Sequence, residues 1–262
     1  MNLIMQSSAV FVAMLAAGCA SVPSQKSTDA PAGFRAVRDQ PHYQVSVRPG
    51  EGVWPADTLF RLPNPSVADG APDAGITTSQ ADLVANHAAR SVCQSLAPWL
   101  RWTSGDEGGL MTLQLVRIMA NNRGVTATSA VIDAAVPGPF RLPAGLGALQ
   151  VASQMQDASG APLLEMRWAR GANPLLHRAR ISTIGDAWEL APSHGRDLRD
   201  ALKTYLKTTQ PADVQKANLA LCEQRFGHVS AAGRAASLIV PLSPEAIDPA
   251  RPPADPKPSE TP

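Results

Sequence analysis

Two stretches of two-residue alternation flank a short polar turn and constrain the fold of this chain more than any other feature. Leu149, Val151 and Met155 alternate with Gln150, Ala152, Gln154 and Gln156; Asp157-Ala158-Ser159-Gly160 follows, and then Leu164, Met166 and Trp168 alternate with Glu165 and Arg167. Side chains two apart lie on the same face of a strand, so the pattern predicts a β-hairpin with one apolar and one polar face. An antiparallel sheet of this kind needs a cover for its apolar face, and amphipathic helices are the available cover.

Three segments supply helical periodicity. Residues 80–97 place Ala85, Ala89, Val92 and Leu96 on one stripe, with Leu100 a turn further on and Cys93 at the stripe's edge. Ser79 with Asp82 three residues later reads as the N-terminal cap, and Pro98 marks the end. Residues 193–208 carry Leu198, Ala201, Leu202, Tyr205 and Leu206 at helical spacing; residues 212–225 carry Val214, Ala217 and Leu221, with Phe226 just beyond and Cys222 facing inward. Strands are predicted at residues 43–48 and 110–119, residues 54–75 read as loop, and residues 124–143 carry no clear pattern. The predicted class is α+β, an antiparallel sheet of about four strands covered by two or three amphipathic helices.

Ahead of this domain, an apolar run closes on Leu15-Ala16-Ala17-Gly18-Cys19. An apolar core of about nine residues suits an export signal, whereas a membrane span needs about twenty. The segment resembles the bacterial lipobox, with Ala16 where Leu is commonest and with no Lys or Arg before the apolar run. The resemblance implies that residues 1–18 are removed, that Cys19 is acylated, and that outer-membrane lipid holds the mature chain on the periplasmic face. Ala20-Ser21 stands where Asp would retain such a protein in the inner membrane. Two or three acyl chains anchor a protein stably, whereas one does so only marginally. An ordinary secretory signal cut after Gly18 or Ala20 is the alternative reading. The expected organisation is signal 1–18, flexible lipidated tether 19–41, a single domain 42–228 and a disordered Pro-rich tail 229–262.

With Cys19 given to lipid, Cys93 and Cys222 remain of the three cysteines and are expected to pair in an oxidising compartment. Two buried free thiols are the alternative, while the absence of a CxxC pair or neighbouring His argues against zinc. A formal charge of +1 with acidic and basic residues interspersed gives no footprint for nucleic acid. His42, His87, His177, His194 and His228 are scattered and lack metal-binding spacing; His87, with Arg90 one turn on, reads as surface or boundary. Gly145-Leu146-Gly147 lacks the third glycine of a dinucleotide loop and precedes a strand, so it reads as a turn. Asp186 and Trp188 read as a capped turn whose indole covers the core. Neither a catalytic residue nor a cofactor is expected, since the sequence has no G-x-S-x-G elbow, S-x-x-K or Cys-His pattern.

The succession of lipobox, polar tether, Val53-Trp54-Pro55-Ala56-Asp57 loop, helix, strand, Gly-rich crossover, Asp157-to-Gly160 hairpin, Gly185-Asp186-Ala187 and amphipathic helix resembles a family of bacterial envelope lipoproteins of unknown function. The resemblance covers residues 43–206, implies an α+β envelope domain and assigns no catalytic or ligand residues. The function expected is a non-enzymatic binding or scaffolding role toward another envelope protein. A carrier of a small apolar ligand between sheet and helices is the alternative, and a hydrolase assembled from residues distant in sequence is the third.

Overall fold

The computed structural model describes residues 32–54, 59–121, 145–173, 182–229 and 244–248. The signal, Cys19, the first part of the tether, His177 and the unpatterned stretch 124–143 lie outside the described residues. The fold is α+β. Its strands are β1 (Arg35–Gln40), β2 (Tyr43–Pro49), β3 (Leu59–Arg61), β4 (Ser66–Val67), β5 (Arg101–Thr103), β6 (Gly109–Met119), β7 (Ala148–Gln156) and β8 (Pro162–Gly171). Its helices are α1 (Thr78–Leu96), α2 (Gly185–Leu202), α3 (Ala212–Phe226) and the short α4 (Pro244–Ile247).

The four long strands β2, β8, β7 and β6 form the antiparallel centre that the alternation predicts. The sheet grows beyond them to eight strands in the order β1-β2-β8-β7-β6-β3-β5, with β4 also on β6. The strands β3, β4 and β5 pair in parallel, so the whole sheet is mixed. With two or three residues each they are too short to show a period, and for that reason the segment read as loop contains two of them. The hairpin between β7 and β8 turns on Asp157, whose Oδ1 accepts from Ser159 N at 2.8 Å and Ala161 N at 3.0 Å. Gly160 supplies the left-handed backbone there, at φ +86°.

The apolar sheet face carries Val45, Val47, Met111, Leu113, Leu115, Leu149, Val151, Met155, Leu164, Met166 and Trp168, all buried. α2 lies over β7 and β8, α1 lies over β4 and β6, and α3 packs on the outer flank of α1 and on β5. α1 starts on a capping box made by Thr77 and Gln80, displaced by two residues from the Ser79/Asp82 pair expected. α2 begins earlier than predicted, because Pro192 lies inside the helix rather than ahead of it. Proline removes one backbone donor there, and the burial of Ala187, Trp188, Leu190 and Ala191 holds the first turns in place. The helix ends at Leu202, so Tyr205 and Leu206 pack from the turn after it. α1 and α2 touch closely at Gly195, where a Cβ would lie 2.7 Å from the Ser91 carbonyl oxygen.

α3 corrects the sequence reading in a second way. Its buried row is Asn218, Cys222 and Phe226, with Ala217 exposed. Asn218 occupies that row because its amide serves backbone left unpaired after α1. Nδ2 donates to Ala97 O at 2.8 Å and Leu100 O at 2.6 Å, and Oδ1 accepts from Trp102 N at 2.9 Å. Beside it Cys222 is bonded to Cys93, with the Cα atoms 5.7 Å apart.

Both domain boundaries shift. Arg35–Gln40, inside the stretch read as tether, is edge strand β1 on β2. All its residues are exposed, so no apolar alternation announces it. Pro244–Ile247 and Asp248, inside the stretch read as disordered tail, are docked against α1 and α2 with Pro244, Ile247 and Asp248 buried. This docking also corrects His87 and Arg90, which are buried rather than superficial because Asp248 sits on them.

Candidate binding face

Among the described residues no element covers the sheet face away from the helices, and its cross-strand rows follow from the register. One row runs Thr112, Gln154, Glu165, Arg48. The next runs Gln114, Ala152, Arg167, Ser46, Ala36, and a third runs Gln150, Ala169, Gln44, Asp39. The second and third rows intersperse small side chains, Ala152, Ala169, Ser46 and Ala36, among long polar ones. The floor therefore drops, leaving a recess of about 390 Å³ with an adjoining one of about 170 Å³.

Phe34 forms one wall. Its ring lies 5.1 Å from the Arg48 guanidinium carbon and 5.0 Å from that of Arg167, in cation–π geometry. Arg48 is held in turn by an ion pair with Glu165. On the helix side of the same strand edge, Arg38 and Arg170 lie over the Tyr43 ring at 5.2 and 4.7 Å. Burial first, then a hydrogen bond to Asp197, pushes the Tyr43 phenol up to about 12, so it stays protonated at neutral pH. With carboxamides, a hydroxyl, guanidinium groups and one aromatic ring, this face can hold a polar partner by hydrogen bonds, cation–π contact and charge.

Beneath the sheet, Ser153 and His194 form a pair that the sequence reading did not single out. Ser153 occupies the apolar phase of β7, and its Oγ is 2.8 Å from His194 Nε2. Both are buried, and the ring stands edge-on to Trp168. Burial lowers the imidazole to about 3, so it is neutral at pH 7. Buried under the sheet, this contact satisfies Ser153 Oγ and His194 Nε2, while His194 Nδ1 has no hydrogen-bond partner among the described residues. The signal in the sequence was a serine at a covered position between Val151 and Met155, which demands a partner from the covering helix. Trp168 likewise donates from Nε1 to Asp197 of α2 at 2.6 Å.

Of the residues singled out from sequence, Cys93 and Cys222 are brought together. Asp186 lies in the first turn of α2 and accepts from Gly147 N at 2.7 Å, while Trp188 is buried and stacks on His87 at 4.3 Å. Among the described residues no group of three His, Cys, Asp or Glu side chains is placed to hold a metal ion. Among the same residues no helix is long and apolar enough to cross a membrane.

No family model matches the chain, and no curated protein matches it. Among solved structures, the PelC dodecamer from Paraburkholderia phytofirmans superposes with a TM-score of 0.37 at 11% identity, covering 64% of this chain and 99% of that one. A point variant of the PelC dodecamer from the same organism gives 0.36 at 13% identity, covering 60% and 97%. Superpositions this loose carry neither a fold family nor a function to this chain.

Proposed function

We propose that this protein is a lipid-anchored outer-membrane lipoprotein, facing the periplasm through acylated Cys19, that binds another envelope protein without catalysing a reaction. The observation that supports the reading is a sheet face that no described element covers, where small residues set a recess among Gln114, Gln150, Arg167 and Phe34. The space between sheet and helices, where an apolar ligand would have to sit, is filled by Trp168, Met111, Leu115, Leu149 and Met155. A binding role outside the sheet fits that packing better than a carrier role within it.

Two experiments separate the anchor from the face. Labelled palmitate should enter the wild-type protein and be lost in Cys19→Ser; unchanged membrane association in that variant would defeat the anchoring claim. Photo-crosslinking residues placed at Gln114 or Gln150 should capture a neighbouring protein in intact cells, and one at Leu219, exposed on α3, should not. Capture from Leu219 alone would move the binding surface off the sheet.

A further inference from the structure

Pro244–Ile247 and Asp248 are seated in a socket between α1 and α2, with Pro244, Ile247 and Asp248 inward and Glu245 and Ala246 outward. Arg90 grips Asp248 with both terminal nitrogens, Nη1 donating to Oδ1 at 3.0 Å and Nη2 to Oδ2 at 2.5 Å. Trp188 Nε1 donates to the same Oδ2 at 3.4 Å, and the His87 ring stacks on that indole with its Nδ1 3.8 Å from Oδ2. At the other end of the segment, Glu245 accepts from Gln80 Nε2 at 2.8 Å and from Ser182 Oγ at 3.3 Å. Two carboxylates one helical turn apart are thus met by two sets of donors, with Ile247 buried between them.

The socket has walls of its own. α1 and α2 hold each other directly through the Gly195–Ser91 contact and through the sheet beneath them. What the socket lacks without the segment is an anion. With the segment seated the Arg90 side chain is 3% exposed, and its acceptors other than Asp248 are the Phe226 carbonyl and the His87 ring, both uncharged or weakly basic partners for a guanidinium that keeps its charge. A group so placed selects for a carboxylate partner.

We propose that this socket is a receptor for a short acidic helical peptide of the pattern Pro-Glu-x-apolar-Asp, which the chain's own residues 244–248 fill in cis and a matching segment of a partner protein fills in trans. The pattern follows from the contacts: Asp248 meets Arg90, Ile247 is buried, Glu245 meets Gln80 and Ser182, and Ala246 faces out. This site is separate from the open sheet face and stands whether or not that face binds a protein.

Fluorescence anisotropy of a labelled peptide covering residues 242–250 tests it on the full chain. Wild-type protein keeps its socket occupied, so the peptide should bind an Asp248→Asn chain about tenfold or more tightly than wild type, since apparent affinity scales with the vacant fraction. The same peptide carrying Asp248→Asn should show no saturable binding. Absence of binding to an Asp248→Asn chain with wild-type near-UV circular dichroism, or equal binding of the two peptides, would overturn the proposal. Hydrogen exchange on the wild-type protein gives a reading that needs no variant. The Asp248 amide, bonded to Pro244 O at 2.9 Å, should exchange about tenfold or more faster than amides in the middle of α1. Exchange in step with α1 would make the segment an integral part of the core and end the proposal.

Discussion

On the helix side of β7 and β8, Val151, Met155, Leu164, Met166 and Trp168 are buried; on the other side the same two strands present Gln150, Ala152, Gln154, Glu165, Arg167 and Ala169. One set interlocks with α1 and α2, so each volume is fixed by its neighbours. On the other face no described element packs against these side chains, and the pattern of small residues among long polar ones shapes a recess instead. A single alternation in the sequence thus sets both the stability of the protein and the surface it offers. The difference also separates roles for charge. Polar groups on the covered side, Ser153, His194 and Arg90, have partners of fixed geometry, whereas Arg167 on the open side rests over the Phe34 ring and remains available to a ligand.

The largest effect is expected from the brace behind the covered side. Cys93→Ala or Cys222→Ala removes a crosslink between residues 129 apart, and the chain-entropy model assigns about 4–5 kcal/mol to a loop of that size. Urea unfolding with and without reductant measures it, and two titratable thiols in the native oxidised protein would show that the pair is not joined.

Next comes a matched pair on the sheet. Trp168→Ala should destabilise by about 3–5 kcal/mol, combining a large cavity with loss of the Asp197 hydrogen bond. Ala152→Leu, which fills the floor of the recess, should change stability by less than about 1 kcal/mol yet abolish crosslinking from Gln114. Comparable destabilisation by the two would contradict the division between the faces.

Acid should discriminate between the faces more gently. His194 is at about 3 in the folded protein and near 6.5 when unfolded, so the unfolded chain binds the proton first. Its contribution is complete above pH 6.5 and is lost as pH falls toward 3, by about 1.4 kcal/mol per unit. Between pH 7 and pH 5 urea unfolding should register a loss of about 2 kcal/mol from this group, and His194→Gln should flatten that limb. The smallest effect is expected for Gln150→Ala on the open face, within about 0.5 kcal/mol of wild type by the same measurement.

The long strands and the helical segments were legible because each repeats its period several times: Leu149 to Met155, Leu164 to Trp168 and Ala85 to Leu96. What escaped was either too short to repeat or decided by tertiary contacts. β3, β4 and β5 are too brief for a period, and β1 is an exposed edge whose Arg-Ala-Val-Arg-Asp-Gln says nothing about pairing. Pro192 masked the start of α2 because its local preference is overridden by packing around Trp188 and Leu190. Nothing in the sequence near Asn218 signals its burial, because the backbone it serves, at Ala97 and Leu100, is distant in the chain. The recess was hidden for another reason: Ala152, Ala169, Ser46 and Ala36 are far apart in sequence and become neighbours only through the register of four strands.

The Cys93–Cys222 bond makes a covalent ring of the intervening chain, and β5, β6, β7, β8 and α2 all belong to it. A single proteolytic nick within that ring leaves both halves tied together, so Gln114, Gln150 and Arg167 travel as one body. β1 and β2, with Phe34 ahead of them, lie outside the ring and are kept in place by hydrogen bonds to β8 and by ring and ion-pair contacts. A cut just after β2 would therefore shed one wall of the recess and spare the rest, a distinction that a non-reducing gel after limited digestion reads directly.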